Sequence, residues 1–384
     1  MTRAGALQGV KVIDFSAMMA GPYCARYLAD LGADVIKVEP PRGEYMRNRP
    51  PFAGDTSSYF GHLNCGKRSV TLDLKRPEQH QQALDIIRQS DVLVENFRPG
   101  IMQRLRLGYE DCHRINPRII YCSISGFGQS GPDASRPAFA QIIHAESGYD
   151  VAFARYQGSE ATPPNCAFFT ADVLGAVYAF AAINAALFNR EHTNKGQHID
   201  VALMDCIVNL MVGDFQHAQF PNHVVYERYG PIKAKDGLVI VVPVIEEQFH
   251  ALCRALGHPE WLTDERFALG QNRRKNWGAL MSLVQEWTVL RPADQCIQFF
   301  SDAGIPSGRY RTVADLLDSS QFDHRGSFVR VNGDLDSFLV PNLPFQMSNS
   351  RVEAGRHVPA LGEHTEEVLR ETISHQAPGE KRKE

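Results

Sequence analysis

The sequence has no CxxC pair and no Cys/His run with metal-ligand spacing. Its eight cysteines, at 24, 65, 112, 122, 166, 206, 253 and 296, are scattered over 384 residues. That excludes a zinc ribbon or a disulfide framework and leaves them as small buried residues in a reducing compartment. No apolar run reads as long enough to span a membrane, and MTRAGALQGVKVIDF at the N-terminus lacks the apolar core and cleavage site of a secretory signal. Positive charge is not in excess, since 40 Lys+Arg against 44 Asp+Glu give a net charge of −4. Any phosphate recognition must therefore come from local basic clusters. The expectation is a cytoplasmic protein with no nucleic-acid or membrane partner, no metal and no redox cofactor.

At 43% hydrophobic residues the chain can bury a large core and is long enough for two domains. Val10–Phe15 reads as a strand, followed by the loop SAMMAGP and a helix from Pro22, in its favoured first position, to Leu31. Gly32 ends that helix and Asp34–Val38 is a second strand, so the two strands are parallel and joined by a right-handed crossover. Glu39 stands where a dinucleotide-binding fold keeps its ribose acid. The glycine fingerprint is missing, however, because the first turn offers only Gly21. Residues 40–52, rich in Pro and Arg, read as a loop in which Arg42, Arg47 and Arg49 are either solvated charge or an anion-binding rim.

Further strands are expected at Ser69–Leu74, Asp91–Glu95 and Arg118–Ser123, with a helix at Pro77–Gln89 and Arg104 and Arg106 on a helix after Gly100. In open α/β sheets ligands bind beyond the carboxyl ends of the strands, and Glu39, Lys75 and Asn96–Arg98 fall at such ends. A helix at 138–148 precedes a polar linker up to Pro164, and residues 205–224 read as one apolar helix. The fold class is α/β: a large Rossmann-like doubly wound domain at 1–200, a smaller α+β domain at 225–325, and a return of 340–384 to the large domain.

The stretch 165–190, NCAFFTADVLGAVYAFAAINAALFNR, reads as a helix apolar on nearly every face and therefore buried. Thr170 is its expected N-cap, which puts Asp172 in the first turn. There the helix dipole would keep a carboxylate ionised although apolar surroundings raise its pKa. Such acids usually serve only to satisfy orphan N–H groups, so this stretch alone does not decide for catalysis.

Several segments together do. IDFSAMMAGP (13–22), GADVIKVEPPRGE (32–44), NCGKRSVTLDLK (64–75), DVLVENFRPG (91–100), NPRIIYCSISGFGQSGP (116–132), ADVLGAVYAFAAINAALFNRE (171–191), GQHIDVALMD (196–205), AGIPSGR (303–309) and PALGEHTEEVL (359–369) occur in order. The chain resembles the class III CoA-transferases, the relatives of formyl-CoA transferase and of the carnitine and bile-acid CoA-transferases, a superfamily that includes α-methylacyl-CoA racemases. The resemblance implies that Asp172 is the nucleophile, carrying CoA transfer from an acyl-CoA donor to a carboxylate acceptor through aspartyl anhydride and thioester intermediates. It also implies that coenzyme A is held by Met18, Met19, Leu72, Asp73, Leu74, Lys75, Asn96, Phe97, Arg98 and Arg104, to which the basic Arg42 and Arg136 are added. The same resemblance implies a homodimer of chains threaded through each other as linked rings.

Met19 and Ala140 stand where the formyl-CoA branch carries a glutamine and an acid, which argues against a formyl or oxalyl specialist. The racemase branch needs a histidine base opposite the aspartate, and its position here is Phe139, with His144 five residues on. That favours transfer over the racemase alternative. A nicotinamide-dependent dehydrogenase is the remaining reading. For the acceptor, Arg47, Arg49, Arg136, Arg155 and His144 offer more positive groups than CoA requires, so a dicarboxylate is expected, with Arg47, Gln141, His144 and Arg155 as candidate substrate contacts and succinyl-CoA as a candidate donor.

Overall fold

Apolar segments up to Ala202 pair into a single parallel sheet. In chain order the elements are β1 (Lys11–Asp14), α1 (Ala20–Asp30), β2 (Asp34–Glu39), β3 (Phe52–Ala53), β4 (Thr56–Ser57), α2 (Ser58–Asn64), β5 (Arg68–Thr71), α3 (Pro77–Arg88), β6 (Val92–Glu95), α4 (Ile101–Arg104), α5 (Tyr109–Ile115), β7 (Ile120–Ser125), α6 (Ala140–Glu146), α7 (Tyr149–Tyr156), α8 (Thr170–Thr193), β8 (Gln197–Ala202) and α9 (Leu203–Leu210). The computed structural model describes residues 3–158, 162–163, 166–221, 229–333 and 336–374. The strand order is β5-β2-β1-β6-β7-β8, with every neighbouring pair parallel. This is a doubly wound sheet whose order reverses between β1 and β6, and such a switch point opens a crevice at the strands' carboxyl ends.

Alternation along the strands builds two cores. Val12, Val35, Val92 and Ile120 pack with α1 and α8 on one face. Their neighbours Ile13, Ile36, Leu93 and Tyr121 pack with α3 and α5 on the other, as a two-residue period requires. This unit also takes in residues 321–374. There the hairpin Phe328–Asn332 and Ser337–Pro341 closes a small core with Met46, Phe60 and Leu63, and helix Thr365–Ser374 brings Val368 to the α3 side. A second compact unit comprises 150–164 and 213–320. Its antiparallel sheet of Ile232–Ala234, Gly237–Val241 and Ser307–Arg309 shares a core around Phe249, Trp261 and Phe300.

Several local expectations change. Helix α1 begins at Ala20, so Pro22 is its third residue. The 40–52 segment holds a 3-10 turn at Tyr45–Asn48, pinned by the buried Met46. The polar linker contains α7, whose buried face is Ala152 and Ala154, too small to register as an apolar stripe. The single helix at 205–224 is two, α9 and Val212–Gln219, broken at Met211, and its last residues lie outside the described ones. Arg106 is not helical, because α4 ends at Arg104 and Arg106 adopts φ 55.

The largest correction concerns α8. Its small residues Ala171, Gly175, Ala176 and Ala179 are buried, but Val173, Val177, Tyr178 and Phe188 are exposed, the last at 71%. Contrary to the sequence reading, this helix is by length and composition apolar enough to cross a membrane. Its alanine face packs in the same core as α1 and the sheet, as a core helix does.

Candidate active site

Three successive residues of the loop leaving β1 at the switch point, Ser16, Ala17 and Met18, are held by side chains. Asp14, fully buried, accepts hydrogen bonds from the Ser16 N–H at 2.9 Å and from the Ser16 hydroxyl. Lys37 Nζ donates to the Ser16 carbonyl at 2.9 Å. Asn96 Oδ1 accepts from the Ala17 N–H at 2.9 Å while its Nδ2 donates to the Ala17 carbonyl at 2.8 Å. Glu44 accepts from the Met18 N–H at 2.8 Å. Met18 itself sits at φ 67, a left-handed conformation that such clamping sustains. Below the loop, Lys67 pairs with Asp14 at 2.8 Å and Lys37 with Glu44 at 3.0 Å. Burial alone would raise the Asp14 carboxyl, but Lys67 and Lys37 hold it below its ordinary value.

Gly21 has a packing role. A Cβ there would stand 2.2 Å from Ser16 Cβ and 3.3 Å from Asn96 Cγ, so only glycine lets α1 approach the loop.

Asp172 is the third residue of α8. The N-cap is Phe169, which has no capping group, and Thr170 is already helical. The cap comes from another helix: His144, buried on α6, accepts the Ala171 N–H on its Nε2 at 3.1 Å. Burial pushes the Asp172 pKa up to about 6, the direction expected of apolar surroundings. Asp172 faces a cavity of about 740 Å³ together with Met18, Met19, Tyr45, Arg49, Tyr59, Phe139, Gln141, Cys166 and Phe169.

A second cavity, about 340 Å³, lies at the strand ends and is lined by Ser16, Ala17, Glu39, Leu72, Asp73, Leu74, Lys75, Phe97 and Leu105. Tyr45 lines both cavities, and the clamped loop gives Ser16 and Ala17 to one and Met18 and Met19 to the other. A third, of about 650 Å³, shares Met19, Tyr59, Ala167 and Phe169 with the Asp172 cavity. It contains His62, whose pKa burial lowers to about 4 and whose Nε2 meets the Tyr23 hydroxyl at 3.1 Å. Neither residue was singled out from sequence, where a lone histidine carries no signal.

The expected cradle is therefore brought together in part. Met18, Met19, Leu72, Asp73, Leu74, Lys75 and Phe97 line the two adjoining cavities, and Gln141 lines the one with Asp172. The Asn96 side chain is spent on the Ala17 backbone and positions the loop. Arg42, Arg98 and Arg104 are exposed and outside both linings.

Arg47 and Arg136 do not supply free charge. Arg47 is bidentate to Glu39, at 2.7 Å to each oxygen, and lies 3.7 Å over the Phe60 ring. That pair also removes Glu39 as a ribose acid. Arg136 is paired with Glu146 and Asp133. His144 accepts a hydrogen bond at the α8 terminus, and among the described residues lining the Asp172 cavity there is no histidine to match the second base of a racemase. Arg155 belongs to α7 in the second unit. Among the described residues, no group of three or more His, Cys, Asp or Glu could hold a metal ion.

A carboxylate on an apolar cavity, beside a strand-end crevice at the sheet's switch point, is an arrangement suited to an α/β enzyme with an extended ligand. The profile of CoA-transferase family III matches residues 7–365. The chain is 35% identical over 360 residues to an acetyl-CoA:oxalate CoA-transferase from Acetobacter aceti, covering 90% of each. It is 32% identical over 383 residues to a succinyl-CoA–D-citramalate CoA-transferase from Chloroflexus aurantiacus, covering 96% of this chain and 94% of the relative. Among solved structures, a CAIB/BAIF family protein from Brucella suis superposes with a TM-score of 0.81 at 32% identity, over 96% of this chain and all of that one. The chain therefore belongs to CoA-transferase family III, and it is an acyl-CoA:carboxylate CoA-transferase.

Proposed function

We propose that this enzyme moves CoA from a short acyl-CoA, succinyl-CoA among them, to a dicarboxylate acceptor through intermediates on Asp172. One observation carries the reading. The Asp172 carboxylate faces a cavity next to the strand-end crevice, and its raised pKa has burial as its cause, with no cation among the described residues offsetting it. A carboxylate kept for structure would be paired. One left unpaired in an apolar cavity is suited to act as a nucleophile.

In the proposed sequence, an Asp172 oxygen attacks the thioester carbonyl carbon and the C–S bond breaks with its electrons on sulfur, giving a mixed anhydride and CoA thiolate. The thiolate attacks the aspartyl carbonyl, forming an enzyme thioester and releasing the first carboxylate. The acceptor carboxylate then attacks that carbonyl and expels the thiolate again. Thiolate attack on the acceptor's own carbonyl finally makes the new CoA thioester and restores Asp172. Leu72–Lys75 and Phe97 are assigned to the CoA arm, with Tyr45 and Met18 where the two cavities adjoin. The apolar walls, Met19, Phe139 and Phe169, keep water from the anhydride.

The acceptor class is supported by the relatives, whose names give oxalate and citramalate, both dicarboxylates. We also propose the homodimer of linked rings, supported by the exposed apolar face of α8.

The test is mass spectrometry of enzyme incubated with succinyl-CoA and then hydroxylamine. Modification is expected at Asp172 and is expected to be absent in Asp172→Ala. Full turnover of the Asp172→Ala protein would end the proposal.

A further inference from the structure

Arg49 stands apart from the other arginines near the site: Arg42, Arg98 and Arg104 are exposed and line neither cavity, and the more buried ones are paired. Arg47 has Glu39, Arg136 has Glu146, Arg26 has Asp30, and Arg68 has Asp34 with two glutamates. Arg49 lines the same cavity as Asp172, and among the described residues no carboxylate pairs with it. The two charges of the cavity do not neutralise each other either, because burial is the single cause of the Asp172 shift.

The arginine is nevertheless held in place. Its N–H donates to the Met46 carbonyl at 3.2 Å, and its own carbonyl accepts from the Ser57 hydroxyl. Its guanidinium carbon lies 5.0 Å from the centre of the Tyr59 ring and 5.7 Å from that of Phe169. Aromatic contacts of this kind steady the guanidinium while leaving its N–H edge available, and that planar edge matches a carboxylate bidentately. A preordered, half-buried cation without an internal anion is a receptor for an external one.

We infer that Arg49 is a specificity-determining residue that binds the second carboxylate of the substrate, the one that does not react at Asp172. This rests on the proposed dicarboxylate transfer and deepens it. Donor acyl group and acceptor occupy the cavity in turn, so one arginine serves both. It holds the far carboxylate while the near carbonyl or carboxylate is presented to Asp172, and a monocarboxylate of equal length lacks that anchor. Loss of a charge-assisted pair in a partly desolvated site lowers affinity on the order of 100-fold.

The experiment compares wild type, Arg49→Gln and Arg49→Lys, with succinyl-CoA as donor and glutarate or valerate, of equal length, as acceptor. The kcat/KM ratio of glutarate to valerate is expected to fall about 100-fold in Arg49→Gln, mainly through KM, and to recover in part in Arg49→Lys. An equal loss for both acceptors, or no change in the ratio, would overturn the inference. A second readout needs no turnover: modification of Arg49 by phenylglyoxal in the intact wild-type enzyme, followed by peptide mass spectrometry. Succinate is expected to slow it and butyrate not. Protection without any CoA transfer would sink the proposed reaction and keep the carboxylate site, whereas transfer without selective protection would sink the site alone.

Discussion

Asp172 joins reactivity to a stability cost. With its pKa at about 6, the carboxyl is roughly nine-tenths ionised at pH 7 and more nucleophilic than an ordinary carboxylate. Attack requires the ionised form, so the rate of CoA transfer at low substrate is expected to fall as pH drops through about 6. A profile flat down to pH 5 would argue against this environment. The sign for stability is the opposite. Below the ordinary value of 3.8 both folded and unfolded chains are protonated and nothing is lost. Between there and about 6 the unfolded chain ionises first, so the folded state is progressively disfavoured, and above 6 the cost is constant. At 1.36 kcal/mol per pH unit the full cost is roughly 3 kcal/mol, less whatever water in the cavity restores.

Asp172→Asn is therefore expected to melt higher than wild type at pH 7.5, with the advantage vanishing near pH 4. Paired thermal melts across pH check it. Asp172 drew notice because an acid opens a long apolar run, but its expected role came from the family resemblance of several motifs in order and not from that stretch alone. Arg49 was visible as one of three arginines in a loop and as one of several positive groups counted toward a dicarboxylate, with nothing to single it out. What separates it from Arg47 is Glu39, eight positions upstream of Arg47 and brought opposite it by the end of β2, and no local pattern reports that pairing.

At the scale of elements, the site depends on how α1, β1 and β6 meet around the loop 16–19. The strands and the doubly wound class were readable, since apolar runs of strand length alternate with helices and the crossovers fix their hand. The clamp was not, because its partners are distant in sequence: Asn96 reaches Ala17 across 79 positions and Lys67 reaches Asp14 across 53. Lys67, beside Arg68 just after Gly66, gives no local sign that it is a buried cation. Gly21 looked like a failed nucleotide fingerprint and is a spacer.

Gly21→Ala must push Ser16 away, since the methyl would stand 2.5 Å from its hydroxyl oxygen. The displaced loop carries Ala17 into one cavity and Met18 into the other. The expected outcome is a rise of about 10-fold in KM for the CoA thioester, with Asp172 still modified by succinyl-CoA and hydroxylamine. An unchanged KM would show that the loop does not shape the CoA site.

For the whole molecule, the informative feature is the side of α8 turned away from its own core. Val173, Val177 and Tyr178 lie within two turns, Phe188 follows further along, and Phe168, 79% exposed, stands just before the helix. A soluble chain rarely leaves such a face uncovered. A membrane would fit the composition, but α8 also carries Arg190, buried and paired with Asp91 at 2.9 Å, which ties its far end into the protein. A second copy of the chain fits without that conflict.

Light scattering is expected to give twice the chain mass of 42.9 kDa. Two chains linked as rings cannot part while folded, so placing glutamate at Val177 and Phe188 together should lower the yield of folded dimer and not release active monomer. A soluble monomer with wild-type turnover would refute both the linkage and the need for a partner. A dimer that dissociates reversibly on dilution, with the chains still folded, would refute the linkage alone.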